Sequence, residues 1–406
     1  MTIQENSRKY LPKDGFKGTL IGRVWVPTAL SGNVAGPSPV LVTENGVLDL
    51  TDIAPTCSDL LNQEFSTQGL ELSGLKNLGS FDAIMANTLA SRRSAEVPHF
   101  LSPVDIQAIK ACGVTFAVSM VERVIEERAE GDAKKAEAIR SLIRERIGTD
   151  ISSVKPGSAQ AEDLKQALKS QGIWSQYLEV GIGPYAEVFT KSQPLSSVGI
   201  GSQVGILSVS AWNNPEPETV LIVNGKAKVL GATLGNDVNL RDIEGRSALL
   251  LGKAKDNNAS CAIGPFIRLF DGSFNLENVR TQDVGLTITG QDGFRLSEAS
   301  RMTKISRDVL ELVAQAMNAN HQYPDGMALF TGTMFAPTQD RDGKGQGFTH
   351  KIGDVVDIHS EMLGVLRNTV AYCDQIPAWE FGISALMRNL SQRGLLDIKT
   401  AKDSYS

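Results

Sequence analysis

Residues 213–242 read NNPEPETVLIVNGKAKVLGATLGNDVNLRD, and the fold class turns on how this stretch is read. Glu216-Pro217-Glu218 runs directly into Thr219–Val223, a β-branched and apolar run that predicts a strand. Asn224-Gly225 is a hairpin turn signal, and the run after it predicts a second strand returning beside the first. In extended chain residues i and i+2 point to the same face, so Glu216 and Glu218 can converge on one cation while Pro217 stiffens the backbone between them. Hard divalent cations favour such oxygen ligands, and Mg²⁺ commonly keeps waters that a substrate can displace. Asp237, which follows the second strand, is the natural third ligand. On spacing alone, Glu-x-Glu reads better as the solvent face of an exposed strand, with Asp237 as an Asx-turn residue, because such pairs are common.

Outward from this hairpin the chain continues in short β-like runs, including VGILSVSA, CAIGPFIRLF, VGLTITG, MALFTGT and GDVVDIH. Ser306 can cap a helix over RDVLELVAQAMN. Toward the N-terminus, GRVWVP and VLVTENGVLDL read as strands, the latter with Asn45-Gly46 at hairpin spacing, and a helix-prone segment lies near Ser58–Leu61. Ser102-Pro103-Val104-Asp105 places an N-cap and a proline before IQAIKACG, which predicts a helix closing at Gly113. From Ser119 to Gly148 the text is rich in Glu, Arg, Lys and Ala with apolar residues at helical spacing, which predicts one amphipathic helix or two broken near Gly131. The expected fold class is therefore α+β, mainly β. The expected division is a small β-rich N-terminal domain over 1–100 and a catalytic domain over 101–406.

The bulk properties set limits on function. The chain has 406 residues, 41% hydrophobic and 21% charged, which is ordinary for a globular protein of one large or two smaller domains. Its net charge of -6 comes without a basic block, so no electrostatic footprint for nucleic acid or anionic membrane is present. No stretch approaches the roughly 20 apolar residues that span a bilayer, and the opening MTIQENSRKYLPKDG has no signal-peptide core. A cytoplasmic protein is expected. Cys57, Cys112, Cys261 and Cys373 form no CxxC pair, and His99, His321, His350 and His359 show no HExxH spacing, so neither a disulfide framework nor a zinc site is favoured.

The opening stretch together with GKAKDNNASCAIGPF (252–266) resembles the metal-binding core of the fumarylacetoacetate hydrolase superfamily: an E-x-E strand, an N-D-V-x-x-R-D turn and an A-K-x-x-D…G-P segment. The resemblance continues through YPDGMALFTGT and GDVVDIHSEMLGVLRNTV and covers roughly 105–375. It implies a mixed β-sandwich roll with a helical lid, a homodimer or higher homo-oligomer, a small 2-oxo acid substrate, and Mg²⁺ on Glu216, Glu218 and Asp237, with Mn²⁺ or Ca²⁺ as alternatives. Lys255 matches the lysine of the A-K-x-x-D segment, Arg241 the arginine of the turn, Thr333 the threonine that contacts the substrate carboxylate, and Lys191 the lysine of the F-x-K segment. Glu244 stands where many relatives have glutamine, and Met334 where proline is usual.

Hydrolase and decarboxylase members carry N-Y-x-x-H-x-x-E, whose His-Glu pair activates water. Here Ser119 replaces the histidine while Glu122 is kept, and a serine hydroxyl is no base near neutral pH without an activating partner. The text Gly113-Val114-Thr115-Phe116 with Ser119, and Arg123 close by, is similar to a branch that dehydrates 2-keto-3-deoxy sugar acids. That implies conversion of a 2-keto-3-deoxypentonate to 2,5-dioxopentanoate. In this reading Lys255, its proton loosened by burial beside a cation, is the first candidate base. Glu122 is the acid for the leaving hydroxyl, and base and acid can be exchanged. Ser119-x-x-Glu122 also reads as a capping box. A C–C hydrolase of acylpyruvates or fumarylacetoacetate-like diketo acids is the nearer rival, and a non-catalytic carboxylate-binding protein the more distant one.

Overall fold

The computed structural model describes residues 7–32, 34–130, 132, 134–136, 154–170, 172, 174–343 and 346–396. Two sheets form the body. The N-terminal strands are β1 (Leu20–Val26), β2 (Gly36–Thr43), β3 (Gly46–Asp49) and β4 (His99–Phe100), with helices α1 (Cys57–Asn62) and α2 (Phe81–Leu89) after β3. Then come β5 (Ala108–Gly113), three helices α3 (Ala117–Arg128), α4 (Ala159–Ser170) and α5 (Gln176–Ile182), and β6 (Glu187–Ser192) and β7 (Gln203–Ile206). The two-residue strands β8 (Asn213–Asn214) and β11 (Asn239–Leu240) flank the hairpin of β9 (Pro217–Val223) and β10 (Val229–Asp237). Helices α6 (Arg241–Glu244) and α7 (Leu251–Lys255) lead into β12 (Cys261–Leu269). Last are α8 (Leu276–Thr281), β13 (Asp283–Thr289), β14 (Arg295–Arg301), α9 (Val309–Ala316), β15 (Met327–Phe330), β16 (Val355–Ser360), β17 (Gly364–Tyr372) and α10 (Ile383–Gln392).

The large sheet runs β3-β2-β1-β12-β10-β9-β15-β5-β6, with β4 added on β1, and the small one runs β14-β13-β16-β17-β7. Pairing is antiparallel except for β15 with β5 and β17 with β7, so both sheets are mixed. Strands β10 and β12 pack against β16 and β17, closing a sandwich. Alternation along β9 sends Leu221 and Val223 into the core between the sheets and Val220 and Ile222 to the opposite face, where Leu60 and Leu61 of α1 cover them. Every residue of β9 and β12 is buried, which is why both read as nearly unbroken apolar runs.

The Asn224-Gly225 signal makes a hairpin, folded by the Asn224 side chain, whose Oδ1 accepts N–H groups from Lys226 and Lys228 at 3.1 and 3.0 Å. Other expectations are corrected. Ala108–Gly113 is strand β5, not a helix, because it fills the slot between β15 and β6. The Asp105 carboxylate that suggested a helix cap instead accepts the N–H groups of Cys57 and Ser58, at 2.6 and 3.1 Å, and so caps α1 from a distance of 48 and 47 residues. Helix α9 is capped by Asp308 rather than Ser306. The expected long helix from 119 is described through Arg128 as α3, residues 134–136 are helical as well, and Gly131, residue 133 and 137–148 lie outside the described residues. Strand β1, before the expected boundary near residue 100, joins the same sheet as β12, Leu20 and Ile21 pairing with Arg268 and Ile267. Among the described residues no helix is long and apolar enough to cross a membrane.

Candidate metal centre and active site

The hairpin supplies the site. Glu216 and Glu218 leave one face of β9, and Asp237 ends β10 alongside, its N–H bonded to Glu216 O at 3.1 Å. One oxygen from each of the three carboxylates lies within 4.8 Å of the others, and all three residues are buried. The bland reading of an exposed strand face is excluded.

Donors hold each acid in place. Glu218 Oε2 accepts the Gly332 N–H at 2.6 Å. Gly332 sits at φ 90, and a Cβ there would lie 2.0 Å from Thr115 Oγ1, so only glycine brings this amide onto Glu218. Lys255 Nζ at the end of α7 lies 2.6 Å from Glu216 Oε2 and 3.0 Å from Asp237 Oδ2. Lys191 of β6 lies 2.9 Å from Asp237 Oδ1 and donates to the carbonyl of Lys255. Asn239 Nδ2 donates to Glu216 Oε1 at 3.1 Å, and Arg123 Nη2 of α3 reaches the same oxygen at 2.6 Å.

Even so, burial together with the charges of Asp237 and Glu216 holds the Glu218 carboxyl well above its ordinary range. A carboxylate cluster whose members disfavour one another's ionisation is what a hard divalent cation compensates, so the donor set fits Mg²⁺. Burial alone would raise Asp237, but Lys191 and Lys255 hold it below the usual value. Burial opposes the charged form of Lys255, yet Asp237, Glu216 and Glu244 outweigh it and keep the ammonium.

A cavity of about 330 Å³, counting its open mouth, adjoins the acids. It is lined by Glu216, Glu218, Asp237, Lys255, Ser119, Arg123, Glu244, Thr333 and Gly332, and also by Val114, Phe189 and Glu187. Val114 stands at φ 56, a strained conformation for a β-branched residue, at the turn between β5 and α3.

Three other expected site residues stand elsewhere. Arg241 is buried behind the cavity, stacked over Trp212 at 4.1 Å with Nε 2.7 Å from Glu126 Oε1. Lys191 supports Asp237 from behind. Glu122 does not line the cavity, and its Oε2 lies 3.8 Å from Arg241 Nη2. Nor do Ser119 and Glu122 form a capping box: α3 starts from Phe116, and Ser119 Oγ donates back to Phe116 O at 2.9 Å.

Glu187 is the residue that sequence reasoning missed. It opens β6 directly opposite Gly113 of β5, and a Cβ at 113 would lie 1.8 Å from its Oε2, so the glycine makes room for the carboxyl. Burial first, and then the charge of Glu244, push it up to about 7 against the pull of Arg123 and Lys255. No motif spacing marks it, because only the β5–β6 pairing brings it to the site.

Residues 216–371 match the fumarylacetoacetate (FAA) hydrolase C-terminal family. The chain is 32% identical over 184 residues to a 2-dehydro-3-deoxy-D-arabinonate dehydratase of Saccharolobus solfataricus, covering 45% of this chain and 58% of the relative. It is 31% identical over 194 residues to a probable 2-keto-3-deoxyxylonate dehydratase of Haloferax volcanii, covering 48% and 63%. The matches therefore span only about three-fifths of these relatives' length. A solved 2-keto-3-deoxy-D-arabinonate dehydratase complexed with magnesium and 2,5-dioxopentanoate shares the fold, with TM-score 0.58 at 19% identity over 87% of this chain and 99% of that one. A solved fumarylacetoacetate hydrolase from Exiguobacterium antarcticum gives TM-score 0.51 at 15% identity over 87% and 99%. Over residues 216–371 the chain is thus similar to the fumarylacetoacetate (FAA) hydrolase C-terminal family, and over most of its length it shares the fold of solved dehydratases and hydrolases.

Proposed function

We propose that this protein is a Mg²⁺-dependent dehydratase that converts a 2-keto-3-deoxypentonate of the arabinonate or xylonate type to 2,5-dioxopentanoate. The observation that carries this reading over C–C hydrolysis is the lining of the cavity, which among the described residues offers Glu187, Lys255 and Ser119 but no histidine to activate water. The names of the relatives, and the ligands of the magnesium complex that shares the fold, point the same way.

Glu216, Glu218 and Asp237 would hold the cation, which when bound polarises the 2-oxo acid and acidifies its C3 hydrogens. Glu187, ionised above neutrality, takes the C3 proton. Lys255, kept as an ammonium by its carboxylate neighbours, gives a proton to the C4 hydroxyl, which leaves as water with the electrons of the C4–O bond. The C3–H electrons become the C3=C4 double bond. Moving a proton from C5 to C3, and then the C5 enol hydroxyl proton to C4, gives the C5 aldehyde. Thr333, which lines the cavity, would meet the substrate carboxylate.

Incubating the purified protein and Mg²⁺ separately with a 2-keto-3-deoxypentonate and an acylpyruvate, and identifying products by mass, tests the reading. The expected result is loss of one water from the first and no change in the second. Cleavage of the acylpyruvate with uptake of water would favour the hydrolase reading, and ligand depletion without turnover a binding protein.

A further inference from the structure

Helix α3 carries Arg123 and Glu126 one turn apart, and the two are paired at 2.7 Å between Nη1 and Oε2. The same Nη1 lies 2.8 Å from Glu244 Oε2, while Nη2 rests on Glu216 Oε1 at 2.6 Å. The second oxygen of Glu126 receives Arg241 Nε at 2.7 Å. Arg241 follows Asp237 by four residues and is locked by its stack on Trp212. An unbroken chain of alternating charge, Arg241–Glu126–Arg123–Glu216, therefore joins the helix to the first carboxylate of the hairpin. Only its last two members line the cavity.

Resting on the reading of Glu216, Glu218 and Asp237 as a cation site, we propose that Glu126 is a positioning residue which, held by Arg241, acts through Arg123 to couple the seating of α3 to the site's affinity for a divalent cation. A carboxylate offers about four lone-pair positions. Those of Glu216 already receive Arg123, Asn239 and Lys255, which leaves room for a cation without expelling a donor. Such a cation and the guanidinium then share one carboxylate and repel across it. Glu126 draws the guanidinium toward α3 and so lessens that repulsion, and Arg241 fixes the carboxylate that does the drawing. Because coupling between two equilibria is reciprocal, a cation at the hairpin loosens the hold of Arg123 on Glu216, and with it the seating of α3.

Calorimetric titration of chelator-stripped protein with Mg²⁺ tests this in the wild type, Arg123→Met, Glu126→Gln and the double variant. We expect Arg123→Met to tighten Mg²⁺ about tenfold, Glu126→Gln to weaken it about tenfold, and Glu126→Gln to change it less than about twofold when combined with Arg123→Met. An undiminished effect of Glu126→Gln in the Arg123→Met background would show a charge acting through space and overturn the proposal, as would unchanged affinity in Arg123→Met alone. Failure of the wild type to bind Mg²⁺ would instead remove the metal reading itself. Since Arg123→Met takes one partner from each of the buried carboxylates of Glu126, Glu216 and Glu244 and risks misfolding, hydrogen exchange on the wild type gives a second test. Amides of 117–128 should exchange several-fold faster with Mg²⁺ than without, and identical protection overturns the coupling.

Discussion

Glu187 and Gly113 form a pair in which one residue exists for the other: the glycine removes the one side chain that would keep the carboxyl out of the cavity. Burial lifts this carboxyl to about 7, so it is protonated below neutrality and a base above it. The rate of dehydration should therefore rise with pH through about 7. Glu187→Gln should abolish that limb and lower turnover by about 10²–10⁴-fold, as measured in a pH–rate series. A limb that persists in Glu187→Gln would assign the ionisation to another group. At this scale the sequence was readable where carboxylates lie close together on one hairpin. Glu216, Glu218 and Asp237 converge because two-residue alternation and a single hairpin bring them together, although spacing alone favoured an exposed strand face and the family resemblance tipped the reading. Glu187 comes from a strand 29 residues before Glu216, and nothing local announces it. The converse failure is Glu122, placed at the site by motif but turned to Arg241 by the phase of α3.

At the scale of elements, Asp105 shows how a cap can be supplied from outside its own helix. Of the three backbone N–H groups its carboxylate accepts, those of Cys57 and Ser58 serve α1, while that of Ile106 at 2.8 Å, with Gln107 Oε1 accepting the Asp105 N–H at 2.7 Å, steadies the loop before β5. Asp105→Ala should cost about 1–3 kcal/mol of stability in urea unfolding, because two buried N–H groups lose their acceptor, while turnover stays unchanged. A loss of activity without loss of stability would contradict that assignment. The same residue explains why a helix was expected over 106–113. The capping signal was genuine, but its target was α1, and the six residues that follow are claimed by the sheet edges of β15 and β6. Elements with long, unbroken apolar runs, such as β9 and β12, were readable because burial on both faces leaves no ambiguity about their state.

For the whole molecule, the N-terminal strands extend the sheet that carries the hairpin, and Ile21 and Leu41 share a core with Ile222 and Ile267. A chain starting at residue 101 should therefore fail to fold, losing the far-UV and near-UV circular dichroism of the native protein. Removal of β1 opens the edge of β12 and strips the cover from that core. A folded, active fragment would instead support two independent units. Sequence periodicity placed the strands of 20–49 but had no means of saying which sheet they join, since pairing partners more than 200 residues apart leave no local pattern.

The central claim is that the buried three-carboxylate cluster holds the cation for a dehydration, and NMR of the reaction tests it most directly. With a 2-keto-3-deoxypentonate and Mg²⁺, the C5 aldehyde signal of 2,5-dioxopentanoate should grow. It should stop on addition of a chelator, return with excess Mg²⁺, and be absent for Glu218→Gln. Aldehyde formation at the same rate in chelator, or the appearance of two shorter acids from C–C cleavage, would contradict the account.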